Sequence, residues 1–281
     1  MLLKKSFDVI VVDDLSTGKV TNLNPNVKFL NIDISNKEAL FREFDNIPIS
    51  HVFHFAAQSS VTVSVKNILM DLHSNIIGTI NILDLCERSN CNLTFSSTGG
   101  AIYGDAVPRP TKETDKTSPV APYGVSKLSA EFYIRSYNER FNRNHSICRL
   151  ANVYGPRQRP DGEAGVVSII ADKMRRNHPI KLYGHGEATR DYIFVEDLVE
   201  GFFAAQNLGG IFNLGTGIET TNRKIFEIIA QILGNASKPL LEPLREGEIQ
   251  HSCLDSSEIS KLTNWRPKNS LIEGISKTLI T

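Results

Sequence analysis

Short apolar runs and helical segments alternate along the first half of the chain, and this alternation restricts the folds available to it. Residues 7–12 (F-D-V-I-V-V) form a β-branched run, and residues 27–30 and 146–150 form further short runs. Runs of this length are typical of strands buried in a parallel sheet. Strands that alternate with helices predict a doubly wound α/β fold. After residue 155 the elements become smaller, so we expect one domain at 1–155 and a second, smaller α/β domain at 156–281.

The composition argues against several classes of protein. Of 281 residues, 41% are hydrophobic and 22% are charged, and 31 basic side chains balance 31 acidic ones. This balance favours neither a nucleic-acid nor a membrane partner, and no apolar run reaches the ~18 residues that a membrane span needs. The order Met1-Leu2-Leu3 before Lys4-Lys5 does not match a signal peptide. Four scattered cysteines without C-x-x-C spacing predict reduced thiols and a cytoplasmic protein, and no metal site is expected.

A serine–threonine pair followed by a Y-x-x-x-K motif forms the strongest catalytic pattern. Tyr123 and Lys127 are four residues apart, which places both side chains on one face of a helix. An ammonium beside a phenol favours the phenolate, so we expect the tyrosine to titrate nearer to neutrality and to act as a base. The apolar run 93–95 leads to Ser97 and Thr98, either of which supplies a hydroxyl to orient a substrate. An amphipathic helix with an ordinary surface lysine is the alternative, and the upstream hydroxyls favour catalysis.

Acidic residues after the first predicted strand indicate a nucleotide-binding edge. Asp13 and Asp14 follow residues 7–12 directly, and a turn-like S-T-G comes next. In a dinucleotide fold, an acidic residue at the end of the second strand holds the ribose hydroxyls of the adenosine half. A solvated carboxylate at a strand end is the alternative interpretation.

On these motifs, and on N-V-Y-G-P-R after residue 151, R-D-Y at 190–192 and R-E-G-E at 245–248, the chain resembles the extended short-chain dehydrogenase/reductases. Within them it is most similar to the UDP-glucose 4-epimerases, over nearly all of its length. The resemblance implies a Rossmann fold, NAD rather than NADP as cofactor, and Thr98, Tyr123 and Lys127 as catalytic residues. The cofactor-binding residues that it implies are Asp13, Asp14, Leu15, Ser16, Asp33, Ile34, Phe55, Ala56, Ala57, Gln58, Asn75, Ser96, Ser97, Tyr123 and Lys127. The substrate-binding residues that it implies are Thr98, Asn152, Val167, Tyr183, Arg190, Arg245 and Glu248.

The activity that the resemblance implies is epimerisation at C4 of a UDP-sugar, by a homodimer. Tyr123, as phenolate, removes the proton of the 4-hydroxyl while NAD takes the C4 hydride. The 4-keto sugar then turns over and receives the hydride on its other face. Lys127 lowers the pKa of the tyrosine and holds the nicotinamide ribose, and Thr98 hydrogen-bonds the sugar oxygen. A related 4,6-dehydratase carries Asp-Glu after the catalytic threonine, where this chain has Gly99-Gly100 and therefore no acid for elimination at C6.

The resemblance also bears on how the sugar nucleotide is held. Asn152, Arg190 and Arg245 are implied to bind the diphosphate, and the planar guanidinium fork suits phosphate oxygens. Isolated arginines in loops are otherwise usually surface charges. Epimerases that exclude N-acetylated sugars carry a bulky aromatic four residues after the acid of R-x-G-D/E. In this chain that position is Ser252, so we expect UDP-N-acetylglucosamine to be accepted as well.

The N-terminal region departs from the family pattern. The Gly-rich fingerprint stands about 20 residues before the ribose-binding acid, whereas twelve residues precede Asp13 here and none is glycine. We therefore expect the first strand, the phosphate-binding turn and most of the first helix to be lacking. Their loss exposes two strand edges and removes the pyrophosphate cradle. An inactive fragment, a nucleotide-sugar-binding pseudoenzyme and another nucleotide-sugar epimerase or reductase stay open as alternatives.

Overall fold

The computed structural model describes residues 1–162, 165–244 and 249–280. The strands in these ranges are β1 Ile10–Asp13, β2 Lys28–Asn31, β3 His51–His54, β4 Asn92–Thr98, β5 Ser146–Leu150, β6 Asn152–Tyr154, β7 Lys181–Tyr183, β8 Thr189–Phe194, β9 Gly210–Leu214, β10 Glu219–Thr221 and β11 Leu240–Glu242. The helices are α1 Lys37–Glu43, α2 Val61–Lys66, α3 Ile68–Leu72, α4 Gly78–Arg88, α5 Gly99–Ile102, α6 Pro122–Phe141, α7 Val166–Arg175, α8 Val195–Ala204, α9 Asn222–Leu233, α10 Ser257–Thr263 and α11 Leu271–Ile280. A π-helical segment, His73–Ile77, joins α3 to α4.

Four parallel strands in the order β3-β4-β5-β9 form the main sheet, and β1 and β2 form a separate parallel pair. Helices lie between successive strands of the main sheet, so the predicted doubly wound α/β fold is confirmed. Within the described ranges, β3 ends the main sheet and β1 pairs with β2 alone. The remaining strands form a three-stranded sheet, β10-β8-β6, and a two-stranded sheet, β11-β7.

Two apolar cores lie on opposite faces of the main sheet. Along β5, Ile147 faces one core and Cys148 the other, because successive side chains of a strand point to opposite faces. The first core joins the sheet to α1, α4 and α6 through fully buried residues such as Leu83 and Ile134. The second joins it to α8 and α10 and includes Trp265. A fully buried apolar side chain contributes roughly 1.5–3 kcal/mol, so these two cores fix the sheet between its helices.

The smaller half has a core of its own. Helices α7, α9 and α11 pack around β6, β7 and β8, with Met174, Ile225 and Ile275 among the most deeply buried residues. Strand β9 lies beyond residue 156 and pairs with β5 in the main sheet. The larger unit therefore draws on both halves of the chain, and the domain boundary at residue 155 stays a prediction.

The first strand differs from its predicted position. Pairing between β1 and β2 begins at Ile10 opposite Lys28 and ends at Asp13 opposite Asn31. Strand β1 therefore runs over residues 10–13 rather than 7–12, and Asp13 is its last residue. The acid thus lies at the carboxyl end of a parallel strand, as the sequence predicted.

All four cysteines are buried as unpaired thiols, which agrees with their scattered spacing. No helix in the described part of the chain is long and apolar enough to cross a membrane.

Candidate active site

The carboxyl end of β4 meets the first turn of α6 and the residue that follows β5. Thr98 is the last residue of β4, and its side chain lies beside the Tyr123 phenol at the start of α6 and lowers the pKa of that phenol. Gly100 lies beside two of the candidates, because a Cβ there would be 4.0 Å from the Thr98 Oγ1 and 3.6 Å from the Asn152 Oδ1. Thr98, Tyr123 and Asn152 therefore come together at the strand ends, where ligands bind in sheets of this type.

Lys127 lies in the second turn of α6 and is almost wholly buried. Its ammonium donates to the Ser96 carbonyl at 2.8 Å and lies 4.7 Å from the centre of the Phe95 ring. Burial lowers the pKa of Lys127 to about 8, and the carboxylates of Asp71 and Glu131 oppose this fall. The lysine is thus fixed at the end of β4 and is mostly protonated at neutral pH.

The protonation of Tyr123 differs from the expectation. Burial raises the pKa of Tyr123 to about 12, the hydrogen bond with Thr98 lowers it, and the Asp71 carboxylate raises it. The prediction that this phenol titrates nearer to neutrality is therefore wrong for the chain by itself. The physical reason is that the Lys127 ammonium is held by the Ser96 carbonyl, while desolvation disfavours the phenolate.

The π-helical segment presents Asn75 to the same region. Its amide oxygen accepts from the Gln58 N–H at 2.8 Å, and its amide nitrogen donates to the Asp71 carboxylate at 3.1 Å and to the Ser126 hydroxyl at 3.0 Å. Ser126 in turn donates to the Tyr123 carbonyl at 3.0 Å. Single π-helical turns are frequent at functional sites. Asn75 thus joins the end of β3 to the first turn of α6.

Ser97 lies in a different environment from Thr98. It is buried, and its hydroxyl donates to the Glu131 carboxylate at 2.5 Å. Of the two hydroxyls that the sequence left open, Thr98 is therefore the one beside Tyr123. This geometry favours Thr98 for the orientation of a substrate.

The loop after β1 wraps closely around Asp13. The Asp13 carboxylate accepts from the Leu15 N–H at 2.7 Å, and Leu15 adopts a positive φ of 59°. A Cβ on Gly18 would lie 2.9 Å from the same carboxylate. Asp14 accepts hydrogen bonds from the N–H and the hydroxyl of Ser16. Strained backbone of this kind clusters at ligand sites, which supports the predicted nucleotide-binding edge.

The ends of β2 and β3 carry the other cofactor candidates. Asp33 is exposed and accepts from the Ser35 N–H at 2.8 Å, whereas Ile34 is buried in the first core. After β3, Phe55 is half-exposed and residues 56–57 are partly buried. Asp33 and Phe55 are thus accessible to a ligand, and Ile34 contributes chiefly to packing.

These residues fit the two ends of a dinucleotide better than its middle. Asp13 offers a carboxylate for the adenosine ribose, and Lys127 and Tyr123 lie in the first turns of α6. Residues 1–12 contain one 3-10 turn, Leu3–Lys5, and no glycine. A helix N-terminus after a Gly-rich turn is what binds a pyrophosphate in this fold, and residues 1–12 do not form one.

The predicted substrate residues are spread over the smaller half. Arg190 in β8 is partly buried and donates to a backbone carbonyl at 2.7 Å. Tyr183 ends β7 and is partly buried, whereas Val167 is buried in the core around α7. Arg245 and Glu248 lie outside the described residues. The binding of a diphosphate by these arginines stays a prediction.

Sequence reasoning missed several buried charges around the site. Asp71, Glu131, Arg149 and Asp191 are almost wholly buried. Asp71 and Glu131 each stand four residues from a predicted site residue, at the spacing of neighbours on a helix face. Asp191 follows Arg190 and accepts from the backbone N–H groups of residues 216, 217 and 254. The four-residue spacing could have indicated that Asp71 and Glu131 lie near the site, but spacing does not show that a side chain is buried.

Three comparisons with known proteins agree with this geometry. The model of the NAD-dependent epimerase/dehydratase family matches residues 1–215. The chain is 40% identical to UDP-glucose 4-epimerase of Thermotoga maritima, solved with UDP-glucose, with a TM-score of 0.97 over 99% of this chain and 92% of that one. It is 38% identical to the Thermus thermophilus UDP-glucose 4-epimerase solved with NAD, with a TM-score of 0.92 and the same coverage. It is also 35% identical to the UDP-glucose 4-epimerase of Mycolicibacterium smegmatis over 99% of this chain and 91% of the relative.

Proposed function

Because the chain belongs to the NAD-dependent epimerase/dehydratase family, we propose that it inverts C4 of a UDP-hexose, with UDP-glucose and UDP-galactose as the substrate pair. The observation that carries this proposal is the contact between Thr98 and Tyr123, beside Asn152 and the buried Lys127. The similarity to UDP-glucose 4-epimerases over 99% of the chain supports the substrate.

We call Thr98, Tyr123 and Lys127 the catalytic row, and each of the three has a separate role in the proposal. Tyr123 takes the proton of the 4-hydroxyl and returns it after the sugar has turned over. Thr98 holds the phenol and the sugar oxygen in line, and Lys127 keeps a positive charge beneath them. NAD, when bound, accepts the hydride from C4 and gives it back. General acid–base catalysis by one such group contributes ~10²–10⁴-fold to the rate.

The residues after Thr98 favour epimerisation over dehydration. Gly99 and Gly100 carry no side chain, and a Cβ on Gly99 would lie 2.5 Å from the Leu254 side chain. Neither glycine supplies the carboxylic acid that elimination at C6 requires. For the nucleotide, we propose Asn152, Arg190 and Arg245 as the diphosphate-binding residues.

A second candidate function is binding of a nucleotide sugar without turnover. It is favoured by the content of residues 1–12, which hold no glycine and one 3-10 turn and so offer little to a cofactor pyrophosphate. The complete catalytic row argues against it. The balanced charge and the four free thiols support a cytoplasmic location for either function.

We propose that the active form is a homodimer. An apolar surface on α2, α3 and α6 includes Val65, Leu69 and Phe132, each more than half exposed. Contiguous apolar surface on this scale marks association sites in soluble proteins. Sedimentation analysis of Leu69→Glu tests the dimer, because a charge in the interface yields a monomer. A variant that still sediments as the parent does would place the interface elsewhere.

The activity is tested by incubating the protein with NAD and UDP-galactose and following UDP-glucose by NMR. We expect an equilibrium mixture of the two sugars. In deuterated water C4 should retain its hydrogen, because the hydride returns without exchange with solvent. Deuterium at C4 would contradict the mechanism. Binding of UDP-glucose without conversion would favour the second candidate function.

A further inference from the structure

A buried ion pair lies directly behind the catalytic row. Glu131 and Arg149 are 2% and 3% exposed. The Arg149 Nη2 lies 2.6 Å from the Glu131 Oε2, and its Nε lies 3.1 and 3.3 Å from the two carboxylate oxygens. This bidentate geometry fixes the relative orientation of α6, which carries Glu131, and β5, which carries Arg149.

The pair also reaches the residues that flank the proposed reaction. The Glu131 Oε1 accepts from the hydroxyl of Ser97 at 2.5 Å, and Ser97 immediately precedes Thr98. Glu131 follows Lys127 by one helical turn. The carboxylate therefore connects the end of β4, with its threonine, to the helix that carries the tyrosine and the lysine.

On its other side Arg149 supports the segment after Thr98. Its Nη1 donates to the Tyr103 hydroxyl at 2.8 Å and to the Glu113 carbonyl at 3.1 Å. Tyr103 is the residue that directly follows α5, and its hydroxyl donates to the Asn213 Oδ1 at 2.9 Å. The network thus surrounds the turn that starts at Thr98.

Stability alone does not account for this arrangement. Two buried charges lose their hydration, and well-packed apolar residues of similar volume are often as stabilising as the pair or more so. An apolar pair, however, cannot hold the Ser97 hydroxyl or fix the direction of a guanidinium. The property that only the charged pair supplies is the orientation of the groups around it.

From this geometry we propose that Glu131 and Arg149 are positioning residues, which hold the end of β4 against α6 so that Thr98, Tyr123 and Lys127 keep their mutual register. This inference rests on the proposed epimerase function. Neither residue touches the reacting atoms, so each acts through Ser97, Lys127 or Tyr103.

The test compares Glu131→Gln with a matched control, Glu87→Gln. Glu87 also binds an arginine through both oxygens, since Arg143 donates to them at 2.5 and 3.3 Å. That pair lies at the end of α4, which leads into the start of β4, whereas Thr98 is at the other end of the strand. The two variants thus remove the same kind of bond from opposite ends of the sheet.

For Glu131→Gln we expect kcat to fall on the order of 10- to 10²-fold, as small displacements of catalytic groups do, with KM and UDP affinity close to those of the parent. The isotope effect on kcat with C4-deuterated substrate should rise, because the chemical step becomes slower. Glu87→Gln should keep the parent kcat. Equal kcat values for the two variants would overturn the proposal.

Two further variants separate positioning from folding. Glu131→Leu combined with Arg149→Leu should fold and bind UDP yet keep a low kcat, and parent-like turnover in this double variant would overturn the proposal. If Glu131→Gln does not fold, Ser97→Ala removes the bond to the carboxylate and should lower kcat with little change in melting temperature. An unchanged kcat in Ser97→Ala would then refute it.

If the parent protein does not epimerise UDP-sugars, the proposed function is refuted. The positioning role can then still be tested by crystallography. In that case crystal structures of the parent and of Glu131→Gln should differ in the distance between the Thr98 and Tyr123 hydroxyls. An unchanged distance would overturn the positioning role independently of activity.

Discussion

At the scale of single residues, the protonation of the candidate catalytic residues depends on their surroundings as much as on their residue type. Tyr123 and Lys127 are the expected residue types, but burial raises the pKa of Tyr123 from 10.0 to about 12 and lowers that of Lys127 from 10.5 to about 8, which moves the two values apart. The Asp71 carboxylate raises both values. In the chain by itself the phenol is therefore neutral at neutral pH, because burial disfavours the phenolate.

The first prediction concerns Tyr123→Phe. This change removes the phenol that exchanges the proton and leaves the ring in place, so turnover should fall by at least the ~10²–10⁴-fold of one acid–base group. UDP-glucose affinity, measured by calorimetry, should stay within a few-fold of the parent. Tyr133→Phe, at an exposed position of the same helix, is the control and should leave turnover unchanged. Substantial turnover in Tyr123→Phe would remove this residue from the base role.

The second prediction concerns Ser252→Tyr. Ser252 is mostly buried, and its N–H donates to the Thr189 carbonyl at 3.2 Å, next to Arg190. A small residue leaves volume for an acetamido group, so the parent should convert UDP-N-acetylglucosamine as well as UDP-glucose. A tyrosine should lower kcat/KM selectively for the N-acetyl sugar by about 10- to 200-fold, which corresponds to a loss of roughly 1–3 kcal/mol in transition-state binding. Equal losses on both sugars, or no N-acetyl activity in the parent, would show that Ser252 is not the gate.

At the scale of elements, the alternation of strands and helices followed from local pattern, whereas the pairing of β9 with β5 did not. The run at 146–150 is β5 without any shift, because its neighbours on both sides pair along its whole length. The π-helical segment at 73–77 could not be predicted, since it depends on the contacts of Asn75 with Gln58 and Ser126. The Glu131–Arg149 pair was missed because its partners are 18 residues apart and meet only when α6 packs on β5.

The third prediction tests how closely the elements pack. Gly201 lies inside α8, where alanine normally adds up to ~1 kcal/mol of stability. A Cβ there would lie 2.8 Å from the Trp265 ring and 3.1 Å from the Leu214 side chain. Overpacking of this kind costs about 1–3 kcal/mol, so Gly201→Ala should lower the free energy of unfolding in urea. Ser129→Ala, on α6, is the control for helix propensity. A stabilised Gly201→Ala would show that α8 can move away from Trp265.

At the scale of the whole molecule, stability depends on buried neutral histidines. Burial lowers the pKa of His54 to about 3 and those of His51 and His145 to about 4, from 6.5. Below pH 6.5 the unfolded chain therefore binds protons that the folded chain does not. Each such histidine makes stability fall by up to roughly 1.4 kcal/mol per pH unit as the pH drops.

The fourth prediction follows from this linkage. In urea unfolding at several pH values between 6.5 and about 4, His54→Gln should show a shallower loss of stability with falling pH than the parent. The glutamine amide can still bond to Thr79, the present partner of His54 at 2.9 Å. His178→Gln, at an exposed position, should keep the parent slope. Equal slopes for the parent and His54→Gln would mean that His54 is protonated in the folded chain.

The last prediction concerns the cofactor and the whole nucleotide-binding edge. The acidic loop after β1 and the catalytic row supply residues for the two ends of a dinucleotide. Residues 1–12 contain no glycine and no helix N-terminus that could bind the pyrophosphate. The unpaired edges of β1 and β3 leave the two sheets without a strand to join them in the described part. We therefore expect residues 1–281 to bind NAD much more weakly in calorimetry than a family member with a Gly-rich turn does. Extending the chain at its N-terminus by an apolar strand, a Gly-rich turn and a helix should restore tight NAD binding, because a parallel strand pairs with both edges. Low-micromolar NAD affinity in the unextended chain would show that the ribose and nicotinamide contacts are sufficient by themselves.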